Sequence, residues 1–180
     1  MGRYARIITA CVRLAILGPL HYMKFLVVAV GHKMPAWINA GFSDYVQRMP
    51  RASRIELTEI KPAMRSGAGE KSVGRWLTVE AGRIRAALPP RCFKVVLDEC
   101  GKPCATRDFT RRIERWKQQG QDIVFVIGGA DGTAHELQQQ ADLLLSLSPL
   151  TLPHGLCRIL LAEQLYRAVS LLAGHPYHRE

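Results

Sequence analysis

Residues 142–180 read DLLLSLSPLTLPHGLCRILLAEQLYRAVSLLAGHPYHRE, and the architecture can be worked out from this stretch. Leu143, Leu144, Leu145 and Leu147 form a short apolar run bounded by polar and turn residues, which suits a buried strand. Pro149 and Pro153 bracket Ser148 to His154, a segment excluded from helix and central strand alike. Gly155 leads into a helix in which Leu156, Ile159, Leu160, Leu165, Val169 and Leu172 recur at helical spacing, and Gly174 and Pro176 end it. The chain closes on a basic, ring-bearing tail, His175-Pro176-Tyr177-His178-Arg179. Such a tail is either frayed, as ends usually are, or a carrier of proton-handling groups to a nearby crevice.

Working outward, apolar runs and helical patterns alternate. Lys24–Gly31 is a continuous apolar run ending in glycine, the pattern of a buried parallel strand. Pro35 opens a helix whose face is Trp37, Ile38, Phe42, Tyr45, Val46 and Met49. Arg54–Ile60 alternates as a less buried strand, and Lys61–Lys71 is basic, aperiodic and Gly-bearing, a mobile loop suited to facing RNA. A helix from Ser72 to Leu88 stops at Pro89-Pro90, and Phe93–Asp98 is the next buried strand. Thr106–Gln119 is a basic helix, with Thr106 as its cap and Arg107, Arg111, Arg112, Arg115 and Lys117 turned outward. Asp122–Ile127 is a strand closed by Gly128-Gly129, and Thr133–Gln140 is a short helix. This alternation defines an α/β protein with a mainly parallel sheet flanked by helices. Ligands of such sheets sit beyond the strands' carboxyl ends. Asp98–Lys102, Gly128–Gly132 and Ser148–His154 all follow strands, so one composite pocket is expected there.

A chain of 180 residues with 48% hydrophobic and 22% charged residues can bury one full core. Its net charge of +10 favours polyanions, nucleic acid above all. No apolar run approaches the roughly 20 residues of a membrane span. Cys11, Cys92, Cys100, Cys104 and Cys157 make neither a zinc spacing nor a disulfide framework, which points to reduced thiols and a cytoplasmic protein. Residues 1–22 differ in character from the rest, and Met23 directly precedes a good strand. They are expected to be a dispensable extension or the product of a mis-set start, with one domain over 23–180.

Gly128-Gly129-Ala130-Asp131-Gly132 admits two readings, a truncated dinucleotide fingerprint for a nicotinamide cofactor or a tight strand-to-helix turn. Ser148–His154, walled by Leu147, Leu150 and Leu152, offers backbone groups that could read an adenine edge without phosphate contacts. Walker, paired-carboxylate and HExxH patterns are missing, which argues against metal or paired-acid hydrolysis. Glu163 and Arg167 stand at i, i+4, either as a surface ion pair or with Arg167 turned to a crevice and a phosphate. His154 is left open between ligand-facing, loop-fixing and core roles.

Taken together, Gly31-His32-Lys33-Met34-Pro35, Leu97-Asp98 with Gly101-Lys102, Val126-Ile127-Gly128-Gly129, Leu150-Thr151-Leu152-Pro153-His154 and the tail to Glu180 resemble the RlmH family. These are SPOUT-class (α/β-knot) methyltransferases acting on N3 of a pseudouridine in bacterial 23S ribosomal RNA. The likeness runs from Met23 to Glu180, with Glu99-Cys100 as a modest departure inside one motif. It implies a C-terminal deep trefoil knot and a homodimer packed through the last helix, with no metal and no membrane. It implies S-adenosyl-L-methionine bound through Leu97, Gly128, Gly129 and the segment Leu147, Ser148, Pro149, Leu150, Thr151, Leu152 and Pro153. Tyr177 and His178 would handle the proton and position the base, Arg167 would hold RNA, and the substrate would be the assembled ribosome. A non-catalytic ribosome- or RNA-binding protein of the same fold is the alternative, distinguished by failing to bind the cofactor.

Overall fold

Residues 24–65, 69–175 and 177 are described by a computed structural model. β1 (Phe25–Val30), α1 (Ala36–Arg48), β2 (Ile55–Ile60), α2 (Glu70–Ala87), β3 (Cys92–Pro103), α3 (Thr106–Gln119), β4 (Asp122–Ile127), α4 (His135–Gln139), β5 (Leu143–Ser146) and α5 (His154–Leu172) follow in turn. The strands pair in parallel in the order β2-β1-β4-β3-β5, with Val28 beside Thr58 on one side and Val126 on the other. Parallel strands need covered faces, and β1 and β4 are apolar on both. Along β1, Phe25, Val27 and Ala29 point to one face, where α1, α3 and α5 supply Phe42, Ile113, Trp116 and Leu165. Val28 and Val30 point to the other, against Ala81, Ile84 and Leu137 of α2 and α4.

Four sequence expectations shift. β3 runs on to Pro103, because its register against β5 slips between Leu97 and Lys102 and the residues between them bulge out. Thr106 is not a cap: Ala105 holds that place in extended conformation, and the Thr106 hydroxyl donates to Gln164 Oε1 at 3.0 Å. α5 begins at His154, with Pro153 before it at the cap. The expected α5 stripe is buried only in part: Leu165 lies in the core, and Ile159 and Val169 pack against it. Leu156 and Leu172 are 39% and 40% exposed, while Gly155, Arg158, Leu161, Ala162, Leu165 and Ala168 face the core. A helix apolar on most sides does not fix its own buried face. Here the small residues do, by letting α5 lie close against α1 and α3.

Of the expected mobile loop, 61–65 is tied down. Ala63 N–H donates to buried Glu80 at 2.9 Å, and Arg83 donates to the carbonyls of Lys61 and Pro62 at 2.6 and 2.9 Å. Arg65 pairs with Asp131 at 2.6 Å. Glu70 and Lys71 already belong to α2. Residues 1–22 and the stretch 66–68 lie outside the described residues.

Candidate active site

At the carboxyl edge of the sheet a cleft of about 540 Å³ opens between three loops. Leu97, Asp98, Glu99 and Cys100 line it from β3 and its bulge, and Gly128, Gly129, Asp131 and Gly132 from the turn after β4. Leu147, Ser148, Leu150, Thr151 and Leu152 line it from the segment after β5, followed by His154 and Cys157 of α5. These are the three segments expected from the sequence, and they meet in one place. Pro149 and Pro153 lie outside the lining; Pro153 instead starts α5, its carbonyl accepting Cys157 N–H at 3.1 Å.

The loops are held in shape by their own polar groups. Ser146 Oγ donates to the Ser148 carbonyl at 2.8 Å, and Ser148 Oγ accepts Leu150 N–H at 2.9 Å. Across the cleft, the Thr151 hydroxyl donates to Glu99 Oε2 at 2.8 Å. Gln138 of α4 donates to Asp98 Oδ2 at 2.8 Å, and Asp98 Oδ1 accepts Cys100 N–H at 2.9 Å. Glycine is required where chain meets chain. A Cβ on Gly128 would lie 2.4 Å from the Gly132 carbonyl oxygen, and one on Gly101 would lie 2.5 Å from the Leu145 backbone. Gly128 therefore serves the tight turn, and no dinucleotide fingerprint is needed to explain it.

Electrostatically the cleft is unusual for so basic a chain. Among the described residues its lining holds Asp98, Glu99 and Asp131 but no Lys or Arg, so it does not suit a phosphate. The size and apolar walls, with hydroxyls and backbone groups converging, do suit a nucleoside-bearing ligand without phosphates. Burial lowers the His154 imidazole below its usual range, and the charges of Arg158 and Arg65 lower it further. A neutral imidazole faces the cleft.

The expected catalytic residues form a second cluster. Arg167 Nε and Nη2 both reach Glu163 Oε1 at 2.7 Å, and the Tyr177 hydroxyl donates to the same oxygen at 3.4 Å. The Arg167 guanidinium lies over the Tyr177 ring, 5.0 Å from its centre, and that ring stands edge-on to Tyr166. This is a half-buried network and no loose surface pair: the Arg167 and Glu163 side chains are 29% and 13% exposed. Burial pushes the Tyr177 phenol up to about 12, helped by Tyr45 and Glu163 and opposed by Arg167. It keeps its proton at neutral pH and acts as a donor. His178 and Arg179 lie outside the described residues. Neither Arg167 nor Tyr177 lines the cleft. At 1.5 Å rise per residue, Arg167 stands roughly 15 Å along α5 from Cys157 at the cleft wall.

Sequence reading missed Arg158, Glu80 and Gln138. Arg158 is 1% exposed, with Nη1 on Glu59 Oε1 at 2.7 Å and Nη2 on the Gly31 carbonyl at 2.8 Å, so α5 is clamped to the ends of β1 and β2. A charged residue at the core-facing spacing of Leu161, Leu165 and Ala168 was the available signal. Among the described residues there is no group of three or more His, Cys, Asp or Glu side chains that could hold a metal, and no helix long and apolar enough to cross a membrane.

A parallel sheet with a nucleoside-sized, phosphate-averse cleft at its carboxyl edge defines an α/β enzyme of the kind that binds adenosyl cofactors. Residues 23–178 match the family model described as "Predicted SPOUT methyltransferase". A protein of Nitrosospira multiformis named "Ribosomal RNA large subunit methyltransferase H" is 57% identical over 157 residues, 87% of this chain and 99% of that one. One of the same name from Laribacter hongkongensis is 53% identical over 158 residues, 88% of this chain and all of that one. In fold, the chain is similar to a methylase family protein from Neisseria gonorrhoeae, with TM-score 0.50, 12% identity and 84% of each chain covered. A "Probable Methyltransferase" from Bordetella pertussis gives 0.50 and 14%, over 83% of this chain and 95% of that one. The chain belongs to the SPOUT methyltransferase family, in the group of the large-subunit ribosomal RNA methyltransferase H proteins. It is an enzyme, and S-adenosyl-L-methionine is its methyl donor.

Proposed function

We propose that this enzyme methylates N3 of a pseudouridine in 23S ribosomal RNA, on the assembled ribosome in the cytoplasm, as a homodimer with a trefoil-knotted C-terminal half. The observation that carries this reading is the separation of the two clusters. The cleft has the walls for an adenosyl group but no cation for RNA, while Arg167 and Tyr177 stand about 15 Å away along α5. That distance favours a partner's Arg167 over the chain's own at each cleft. A second copy, packed through α5, would set its Arg167 and tail over this cleft. The knot enters this reading through the family likeness, with α5 returning from edge strand β5 to lie against α1 and α3.

When bound, the cofactor supplies an electrophilic methyl group on sulfur. Leu97, Gly128, Gly129 and Leu147–Leu152 would hold its adenosyl part, mostly through backbone and apolar contact. N3 of pseudouridine must lose a proton before it attacks. His178 is the assigned acceptor, since its ordinary pKa lies near neutrality, while the Tyr177 phenol stays protonated and donates to the base. Arg167, freed in part from Glu163, would hold phosphate or the base carbonyl. Binding to ribosomal RNA would rest on exposed Arg107, Arg111 and Arg115, one stripe along α3.

Ribosomes from cells lacking the gene, incubated with the protein and labelled cofactor, should gain one methyl on a pseudouridine, located by nucleoside mass spectrometry. His178→Ala and Tyr177→Phe should each lower turnover with cofactor still bound. A methyl on another base overturns the substrate, and full turnover in both variants overturns the tail assignment.

A further inference from the structure

The cleft wall carries a charge that the proposed reaction does not use. Of its three carboxylates, Asp131 is matched by Arg65 at 2.6 Å. Among the described residues, Asp98 and Glu99 meet only neutral donors: Cys100 N–H and Gln138 for Asp98, and the Thr151 hydroxyl for Glu99. His154, whose imidazole is held neutral by burial and nearby arginines, adds no compensating charge. So a chain of net charge +10 presents two unmatched negative charges at its cofactor cleft. A phosphate cofactor would be repelled, and a cation would be drawn in.

The methyl donor and the product left behind differ in this respect. The sulfonium donor carries a net charge of about +1 at neutral pH, from sulfonium, ammonium and carboxylate together, while the thioether product is neutral overall. Shape hardly separates them, but field can.

We propose that Asp98 and Glu99 make the cleft selective for the sulfonium donor over the thioether product, so that product leaves by losing its charge. This rests on the cleft being the cofactor site. A unit charge across such a cleft, screened as exposed groups are, is worth about threefold to tenfold in affinity for each carboxylate. The same field favours the donor's ground state over a transition state in which the sulfonium charge is fading, so it aids binding and exchange and does not speed the chemical step.

Calorimetry on the full chain would test this with three ligands: the donor, the thioether product and sinefungin, in which an amine-bearing carbon replaces the sulfonium. The wild type should bind donor and sinefungin more tightly than product, and the preference should shrink as salt rises from about 50 to about 500 mM, where the Debye length falls to roughly 4 Å. Glu99→Gln keeps the acceptor for Thr151, so it should lower the donor-to-product affinity ratio about threefold to tenfold with product affinity unchanged. In turnover it should raise KM without lowering kcat. Asp98→Asn should act in the same direction. If wild type binds all three ligands but the ratio is unmoved by salt and by Glu99→Gln, the selectivity proposal fails. If all three bind Leu152→Arg as tightly as the wild type, the cofactor cleft itself has been misassigned.

Discussion

His154 and Arg158 stand on the same face of α5, one turn apart, where the helix begins against the ends of β1 and β2. A Cβ on Gly31 would come within 3.2 Å of Arg158 and 3.3 Å of His154, so β1 turns away directly beneath them. The guanidinium cannot leave without uncovering Glu59 and the Gly31 carbonyl. Loss of one partner from such a pair costs more than the pair contributes. His154 feels this as a raised barrier to protonation. In the unfolded chain it takes up a proton near pH 6.5; in the folded chain, only at lower pH. Between the two values the unfolded state binds more protons, so stability falls as pH drops below about 6.5 and levels off beneath the folded value. Urea midpoints at pH 7.5 and pH 5 should therefore differ less in His154→Gln than in the wild type, and an unchanged difference would remove His154 from the account. Only the spacing of Arg158 with Leu161 and Leu165 hinted at this in the sequence; its partners could not be read there, since the clamp is made by residues 99 and 127 positions away.

At the scale of elements, sequence reading did best where a single chemistry governed the local chain. β1 and β4 were legible because a strand covered on both faces must be apolar throughout. β3 was read short because its second half, Asp98–Lys102, is polar and exposed, and only pairing with β5 makes it strand. The face of α5 was legible only in part, because Leu and Ile sit on most of its sides: Leu165, Ile159 and Val169 face the core as expected, and Leu156 and Leu172 do not. The β3 bulge is also where the cleft wall is built, and Gly101 decides whether β3 can rejoin β5. Gly101→Ala would push its methyl against Leu145 and Ser146 backbone at 2.5 to 2.8 Å, which cannot give way as a side chain would. It should lower stability by about 1–3 kcal/mol, as overpacking does, and weaken cofactor binding by at least tenfold through displacement of Asp98 and Glu99. Ala at Gly82, inside α2 where a Cβ meets nothing within 4 Å, is the control expected to raise stability by up to about 1 kcal/mol and to leave cofactor binding unchanged. Equal behaviour of the two variants in melting and calorimetry would show that the bulge does not shape the site.

The whole molecule poses a question of distance. The three cleft loops were legible as a set, because each follows a strand at the same sheet edge. The tail was legible only as chemistry, since periodicity says nothing of which cleft it reaches. In the folded chain Glu163, Arg167 and Tyr177 are tied to one another and not to the cleft. If two chains complete each other's sites, damage to the two clusters should complement. Arg167→Ala leaves a chain with a sound cleft and a defective basic cluster, and Leu152→Arg leaves the reverse, with a bulky cation in the apolar wall. Each homodimer should be nearly inactive. Co-expressed under two tags and purified as the mixed dimer, the pair holds one site with both halves intact, and by the symmetry of the assembly it should recover about half of the wild-type rate per dimer. Were each chain to act alone, every site in the mixed dimer would carry one lesion, and the rate would stay at the level of the parents. Cofactor binding, measured alongside, should show one occupied cleft per mixed dimer, the cleft of the Arg167→Ala chain, whichever arrangement holds. The rate alone therefore decides between them, and a mixed dimer as slow as its parents with one cleft filled would mean that each tail serves its own chain.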